Sequence, residues 1–146
     1  MEPLVPQCPC RARPAWSRVD DDGVMQWPVV ELAEWEELRQ CPGCGQLWLG
    51  AWPEEVEGGM ILCRPEPTSA RRLKEIDRAA TLRAYCLARI EEHLGPLRER
   101  KLACRKAGCE RKRLEGANHC LEHVIADRFG RHLARLEPLA RSNRQG

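Results

Sequence analysis

The chain has 146 residues, with 24 Lys and Arg against 22 Asp and Glu, and a formal net charge of +2. Leu, Ile, Val and Phe account for only 29 residues, but the nearly balanced charge sets the chain apart from the highly charged class that stays disordered at such a low aliphatic content. We therefore expect a folded protein whose small modules need metal ions or disulfides in addition to a hydrophobic core.

The N-terminal segment MEPLVPQCPCRARP has neither an apolar stretch nor a small-residue cleavage pattern, so it does not resemble a secretory signal. No apolar run approaches the roughly 18 residues that cross a bilayer. We therefore expect a cytoplasmic protein that does not associate with membranes. In a reducing compartment, nine cysteines with short spacings are typical of metal ligands rather than of disulfides.

The segment VVELAEWEELRQ, residues 29–40, places apolar residues at helical spacing. This pattern predicts a short helix, although the segment also leads into a sheet. A CPGCG turn follows, and the stretches QLWLGAW and MILCR flank a Gly-containing loop. Together these patterns predict a strand at about residues 46–52 and a returning strand at about residues 60–64.

Cys41 and Cys44 lie in the CPGCG turn, whose short spacing lets one turn supply two of the four tetrahedral ligands of zinc. A redox dithiol would need a helix after the motif, whereas a strand is predicted here. The motif resembles the knuckle of zinc ribbons and of rubredoxin-like sites. Cys8 and Cys10 would complete a four-cysteine site. An alternative in which Cys63 replaces one of them stays open, and Cys63 could equally be a core residue.

A long helix is predicted in the stretch PEPTSARRLKEIDRAATLRAYCLARIEEHLGP. Thr68 and Ser69 are candidate N-caps, apolar residues then recur at spacings of three and four up to Leu94, and a Gly-Pro pair ends the pattern. The helix should span about residues 69–94, with its apolar stripe buried against the zinc modules or a second copy of the chain. Cys86 falls within it and is interpreted as a packing residue.

Three cysteines and a histidine near the C-terminus have the spacing C-x4-C-x10-C-x2-H. Gly108 permits a knuckle turn, and ERKRLEGANH predicts a short hairpin. A second helix should begin near residue 120 and run to about residue 137, where Pro138 ends it. The last two candidate ligands are three residues apart, so they share one face of its first turn. The four candidates are Cys104, Cys109, Cys120 and His123.

This C-terminal pattern resembles the small Cys3His zinc modules found as accessory fingers in many proteins. The resemblance covers about residues 102–125 and implies zinc binding at the four positions, with no catalytic role. His119 is the second candidate for the nitrogen ligand. Because it is adjacent to Cys120 and should point elsewhere, we interpret it as a surface residue.

The charges divide the chain in the same way as the cysteines. Residues 1–60 carry 4 Lys and Arg against 11 Asp and Glu together with all five Trp, whereas residues 96–146 carry 13 Lys and Arg against 6 Asp and Glu. We therefore predict a small zinc-stapled α+β protein. Its parts are a Trp-rich acidic zinc-ribbon-like module at 1–66, a long helical connector at 67–96, and a basic Cys3His zinc module running into a helix at 97–146.

Two sites with four protein ligands each leave no position for an activated water, which is typical of structural zinc. The sequence also lacks an HExxH motif, a deaminase pattern, a phosphate-binding loop and a nucleophile elbow. We predict a non-enzymatic protein with two zinc ions that acts as a protein-interaction module of the adaptor, inhibitor or immunity type. The alternative is a nucleic-acid-binding regulator, whose phosphate contacts would be Arg105, Lys106, Arg111, Lys112 and Arg113.

Overall fold

The structure, a computed structural model, describes residues 8–19, 23–52 and 59–135. The chain divides into two units, Met1–Asp77 and Arg78–Gly146. In the described residues, the first unit contains a five-stranded antiparallel sheet, and the second contains a two-stranded sheet and two α-helices. The α+β class is therefore confirmed, whereas the zinc-ribbon layout and the division into three modules stay predictions.

The sheet of the first unit has five strands: β1 Trp16–Arg18, β2 Val29–Ala33, β3 Glu36–Gln40, β4 Leu47–Ala51 and β5 Ile61–Cys63. Their order in the sheet is β1-β5-β4-β3-β2, and all neighbours pair antiparallel. Every residue of β4 is buried, so both faces of the sheet are covered at its centre. The two strands predicted at about residues 46–52 and 60–64 are confirmed as β4 and β5.

One face of this sheet carries a hydrophobic cluster that extends to the first candidate metal ligands. Trp48 and Leu62 are 1% and 0% exposed at its centre. A Cβ added at Gly50 would lie 2.7 Å from Met60 Sδ, so a larger residue there would force the Met60 side chain to move. The cluster therefore positions two cysteines by burial. Its other buried members are Cys10, Val24 and Cys41.

Arg39 of β3 ties residues 24–27 to the sheet. Arg39 Nε lies 2.6 Å from Glu37 Oε1, and these side chains are only 7% and 6% exposed. Because a buried guanidinium is costly unless all of its donors are satisfied, the further bonds of Arg39 matter. Its Nη1 donates at 3.2, 2.9 and 3.1 Å to the backbone carbonyl oxygens of Val24, Met25 and Trp27.

Residues 29–40 form a β-hairpin, so the predicted short helix is wrong. β2 and β3 pair antiparallel through a two-residue turn that includes Trp35. Trp35 has a φ of 65°, which is incompatible with a right-handed helix. The residues at helical spacing also share no buried face, because Leu38 is fully buried whereas Leu32 and Trp35 are 73% and 53% exposed.

The first helix, α1, spans Arg78–Leu94, so it ends where predicted but begins later. Residues Leu73–Glu75 form a 3-10 turn instead, and Ile76 is extended. The backbone N–H of Leu73 donates to Glu31 Oε1 of β2 at 2.9 Å, a tertiary contact that replaces helical hydrogen bonding. The predicted N-terminal part of the helix therefore belongs to the first unit, where its apolar residues are buried.

In the second unit, β6 (Glu99–Ala103) pairs antiparallel with β7 (Lys112–Leu114), and α2 (Leu121–Phe129) follows. The hairpin predicted within residues 110–119 is wrong, because only β7 lies there and it pairs with β6, which precedes the cysteine knuckle. α2 begins where predicted. It ends at Phe129, not near residue 137, because Gly130 has a φ of 110°.

Side chains of α1 contact both ends of α2. Arg83 Nη2 lies 2.7 Å from Glu122 Oε1, and the ring of Tyr85 meets that of Phe129 edge to face with centroids 6.1 Å apart. Ile125, which lies between these two positions in the sequence of α2, is fully buried.

Within the described ranges, none of the helices combines the length and the apolar composition that a membrane crossing requires.

Candidate metal centres

The first cluster brings together the four cysteines selected from the sequence: their Sγ atoms all lie within 4.8 Å of one another. Cys8 Sγ is 3.4 Å from Cys41 Sγ, and Cys10 Sγ is 3.1 Å from Cys44 Sγ. These separations are far longer than the roughly 2.05 Å of a disulfide bond. The cluster is therefore a set of four thiols that could hold a metal ion.

A tight turn brings the thiols of Cys41 and Cys44 close together. Cys41 directly follows β3, and its backbone N–H donates to the carbonyl oxygen of Gln46 at 2.9 Å. The backbone N–H of Gly45 donates back to the carbonyl oxygen of Cys41 at 2.8 Å. Gly45 has a φ of 78°, which favours glycine.

Cys8 and Cys10 supply the other two thiols of this cluster. Cys8 precedes the 3-10 turn Pro9–Ala12, and Cys10 lies within it. A Cβ at Gly43 would lie only 3.0 Å from Cys8 Sγ, so the small residue in the CPGCG turn leaves room for the partner sulfur. This supporting role was not predicted from the sequence, because the proximity of Cys8 depends on tertiary structure.

Backbone N–H groups of the turn favour the thiolate form of Cys41. Burial raises the pKa of Cys41, but hydrogen bonds from the N–H groups of Cys44 and Gly43 lower it by more, and the resulting pKa is about 7. Burial, followed by the neighbouring thiol of Cys44, raises the pKa of Cys10 well above its ordinary range. A divalent cation between the sulfurs would stabilise all of the thiolates together.

The second cluster contains the other four predicted ligands, again with all donor atoms within 4.8 Å. His123 Nδ1 lies 3.2 Å from Cys120 Sγ and 3.4 Å from Cys104 Sγ. Cys109 Sγ lies 3.9 Å from Cys120 Sγ. The histidine therefore faces the three sulfurs through Nδ1, the ring nitrogen nearer to the backbone.

The hairpin and α2 each supply half of this second cluster. Cys104 directly follows β6, and the backbone N–H of Cys109 donates to the carbonyl oxygen of Lys106 at 3.1 Å, which closes the knuckle. Gly108 has a φ of 79°, as the predicted knuckle turn requires. Cys120 is the N-cap residue of α2, so His123, three residues later, projects from the first turn of the helix toward the cysteines.

The electrostatics of the second cluster also favour ligation. Burial raises the pKa of Cys104, but the backbone N–H groups of Lys106 and Cys120 lower it more, so the net shift is downward. Burial raises the pKa of Cys120 to about 11. Burial, and after it the charge of Lys106, lowers the pKa of His123. A neutral imidazole, the form that binds metals, is therefore favoured at neutral pH.

Both donor sets are compatible with zinc. A tetrahedral ion with Zn–S bonds of roughly 2.3 Å holds sulfur ligands about 3.8 Å apart and a sulfur and a nitrogen about 3.5 Å apart. Five contacts in the two clusters, at 3.1 to 3.9 Å, bracket these values, and all donor pairs within each cluster lie within 4.8 Å. Four cysteines, or three cysteines and a histidine, are also the donor sets of structural zinc sites, in which the protein fills all four positions.

The remaining candidates lie outside both clusters. Cys63 is fully buried in β5, consistent with its interpretation as a core residue. Cys86 is also buried, and burial raises the pKa of its thiol to about 12. His119 Nδ1 lies 3.6 Å from Asp127 Oδ2, so it contacts the surface of α2 rather than the sulfurs.

The basic residues singled out as phosphate contacts are arranged unequally. Arg105 and Lys112 are exposed, as is Lys106, whose Nζ lies 3.5 Å from Asp127 Oδ1. Arg111 and Arg113 are half-buried, and Arg113 Nε donates to the carbonyl oxygen of Ala103 at 3.1 Å. Part of the predicted basic surface therefore has contacts within the second unit.

Comparison of the chain with known protein families, with curated protein sequences and with solved structures found no match. Function must therefore be inferred from the two clusters and the surfaces around them.

Proposed function

We propose that this protein is a non-enzymatic zinc-binding protein whose two zinc ions hold a scaffold for protein–protein interaction. The observation that carries the proposal is the convergence of eight donor atoms into two sets of four. Four protein ligands close a tetrahedral site to water, so each ion would act on folding and not on a substrate. An adaptor, an inhibitor and an immunity-type protein are all compatible with such a scaffold.

The interaction role is supported by apolar side chains that the first unit leaves exposed. Five large apolar residues between positions 25 and 35 are 43% to 73% exposed. Scattered exposed apolar residues are common, but a group within one short segment is typical of a binding surface. The five are Met25, Val29, Val30, Leu32 and Trp35.

A second candidate function is nucleic-acid binding, which the exposure of β6 favours. All five residues of β6 are exposed, and Arg100 and Lys101 lie among them. With Arg105 and Lys106 in the following knuckle, they could contact phosphates.

Binding measurements at low ionic strength separate the two functions. Phosphate contact predicts that the zinc-loaded chain binds duplex DNA or RNA with an affinity that falls steeply with salt. Replacing Arg105, Lys106 and Lys112 together with Ala should then weaken binding. The protein-interaction proposal predicts no duplex binding under these conditions, and tight, salt-sensitive duplex binding would contradict it.

A further inference from the structure

The outer edge of the five-stranded sheet is an unusual apolar surface. β2 is the edge strand, and no other strand of the described residues pairs with its outer side. Four of its five residues are exposed, including Val29, Val30 and Leu32. Natural edge strands are usually protected by charged or covered positions, because an apolar edge is a template for another strand.

The backbone of this edge is oriented for strand pairing from Glu31 to Ala33, after a register shift between Val29 and Glu31. Ala33 and Glu36 flank the two-residue turn and form its first pair, so they exchange backbone hydrogen bonds with each other. Pairs alternate along an antiparallel ladder, so Leu32 is in a pair without such bonds, and its N–H and C=O face away from β3. Leu32 is also 73% exposed, so both its backbone and its side chain are accessible.

The turn beside this edge holds a tryptophan in a strained conformation. Trp35 has a φ of 65°, a region that turns usually give to Gly or Asn. Its side chain is 53% exposed, so core packing does not explain its presence. Its indole Nε1–H donates to Glu34 Oε1 at 3.2 Å, which places an aromatic face beside a carboxylate. Strain retained at an exposed aromatic residue is a feature of binding sites.

The charge of this edge favours a basic partner. Glu37 and Glu31 already pair with Arg39 and Arg72, whereas Glu34 is exposed in the turn beside Trp35. A carboxylate next to an exposed indole attracts a Lys or Arg side chain through both ion pairing and a cation–π contact. A second copy of the same edge would offer Glu34 no cation, because residues 29–35 contain no Lys or Arg.

We propose that β2 and Trp35 form a docking site for an extended segment of a partner protein that alternates apolar and Lys or Arg side chains. The segment pairs with the outer side of β2 at Glu31–Ala33, an apolar side chain covers Leu32, and a cationic side chain lies on Trp35 beside Glu34. This inference rests on the proposed interaction function and specifies its surface and partner class.

A peptide titration of the zinc-loaded full chain tests the docking site. The probe is a short peptide of alternating Lys and Val; the matched peptides carry Glu in place of Lys, or N-methyl groups on one backbone edge. Nitrogen-15 NMR should show shifts at residues 29–36 with the first peptide only. Trp35→Gly should weaken this binding by roughly tenfold or more without lowering the melting temperature, since it removes an aromatic anchor and relieves the positive φ.

A matched pair of leucine variants serves as the control. Leu32→Ala should weaken peptide binding, whereas Leu102→Ala, at another exposed strand position in the second unit, should leave it unchanged. Three results would overturn the proposed site. They are equal binding of the Lys and Glu peptides, the absence of NMR shifts at β2 when the Lys peptide is added, and dimerisation of the chain through β2. Peptide shifts elsewhere would overturn only the site. Duplex binding with no peptide binding would overturn the interaction function as well.

Discussion

Replacing Cys109 with Ser tests whether a metal ion holds the knuckle of the second unit. Between residues 104 and 123 the only large apolar side chain that is fully buried is Leu114, 3% exposed. Burial of one such side chain contributes about 1.5–3 kcal/mol, whereas a structural zinc ion contributes about 10–16 kcal/mol of apparent binding free energy. Loss of one of four ligands should therefore unfold the knuckle and the first turn of α2.

Hydrogen exchange measured by mass spectrometry on the zinc-loaded variant checks this prediction. Amide protection should fall throughout residues 104–123 and remain in the five-stranded sheet and in the centre of α1, where Leu82, Tyr85 and Ile90 are buried. Cys86→Ala in α1 is the control, because it removes a cysteine without removing a ligand. Protection retained across the knuckle in the Cys109→Ser variant would refute the reasoning.

Three further substitutions test the buried ion pair of β3, the buried thiol of α1 and the turn of the first cluster. Arg39→Ala should lower the free energy of urea unfolding by about 3–5 kcal/mol, because it leaves a buried carboxylate unpaired, whereas Arg72→Ala, which removes a largely exposed pair, should cost at most about 1 kcal/mol. Burial raises the pKa of Cys86 to about 12, so the folded chain keeps a proton that the unfolded chain releases near pH 8.5. The free energy of unfolding should therefore decrease as the pH rises between these two values. Cys86→Ala should make this decrease smaller. Gly43→Ala should weaken zinc binding at the first cluster by roughly tenfold or more in a chelator competition, because its Cβ would crowd Cys8 Sγ.

For each of these three predictions, one result would contradict it. Equal losses for Arg39→Ala and Arg72→Ala would mean that the buried contacts of Arg39 do not stabilise the first unit. An unchanged pH slope in Cys86→Ala would place the alkaline sensitivity in other groups. Unaltered zinc affinity in Gly43→Ala would mean that the turn accommodates a methyl group without moving the sulfur of Cys8.

Both clusters could be selected from the sequence because their chemistry depends on local spacing. The turn around Cys41 and Cys44, and the first helical turn that carries Cys120 and His123, each place two donors without reference to the rest of the chain. Whether Cys63 replaces Cys8 or Cys10 was harder to predict, because it depends on which thiols reach the turn in three dimensions. Ligation itself stays a prediction that metal measurements must test.

The errors arose where tertiary contacts override local preference. Apolar spacing in residues 29–40 is consistent with a helix, but pairing of β3 with the buried β4 and the positive φ of Trp35 make the segment a hairpin. Likewise, the N–H of Leu73 bonds to Glu31 from a strand about forty residues earlier, so α1 starts only at Arg78. Such long-range contacts leave no periodic signal in the sequence.

The zinc content of the native chain tests the central claim most directly. Protein purified without chelator should contain about two zinc ions per chain by elemental analysis, one for each set of four donors. The cysteines should react with a thiol reagent only slowly until a chelator removes the metal. Zinc near zero, with cysteines that titrate freely in the folded protein, would contradict the account.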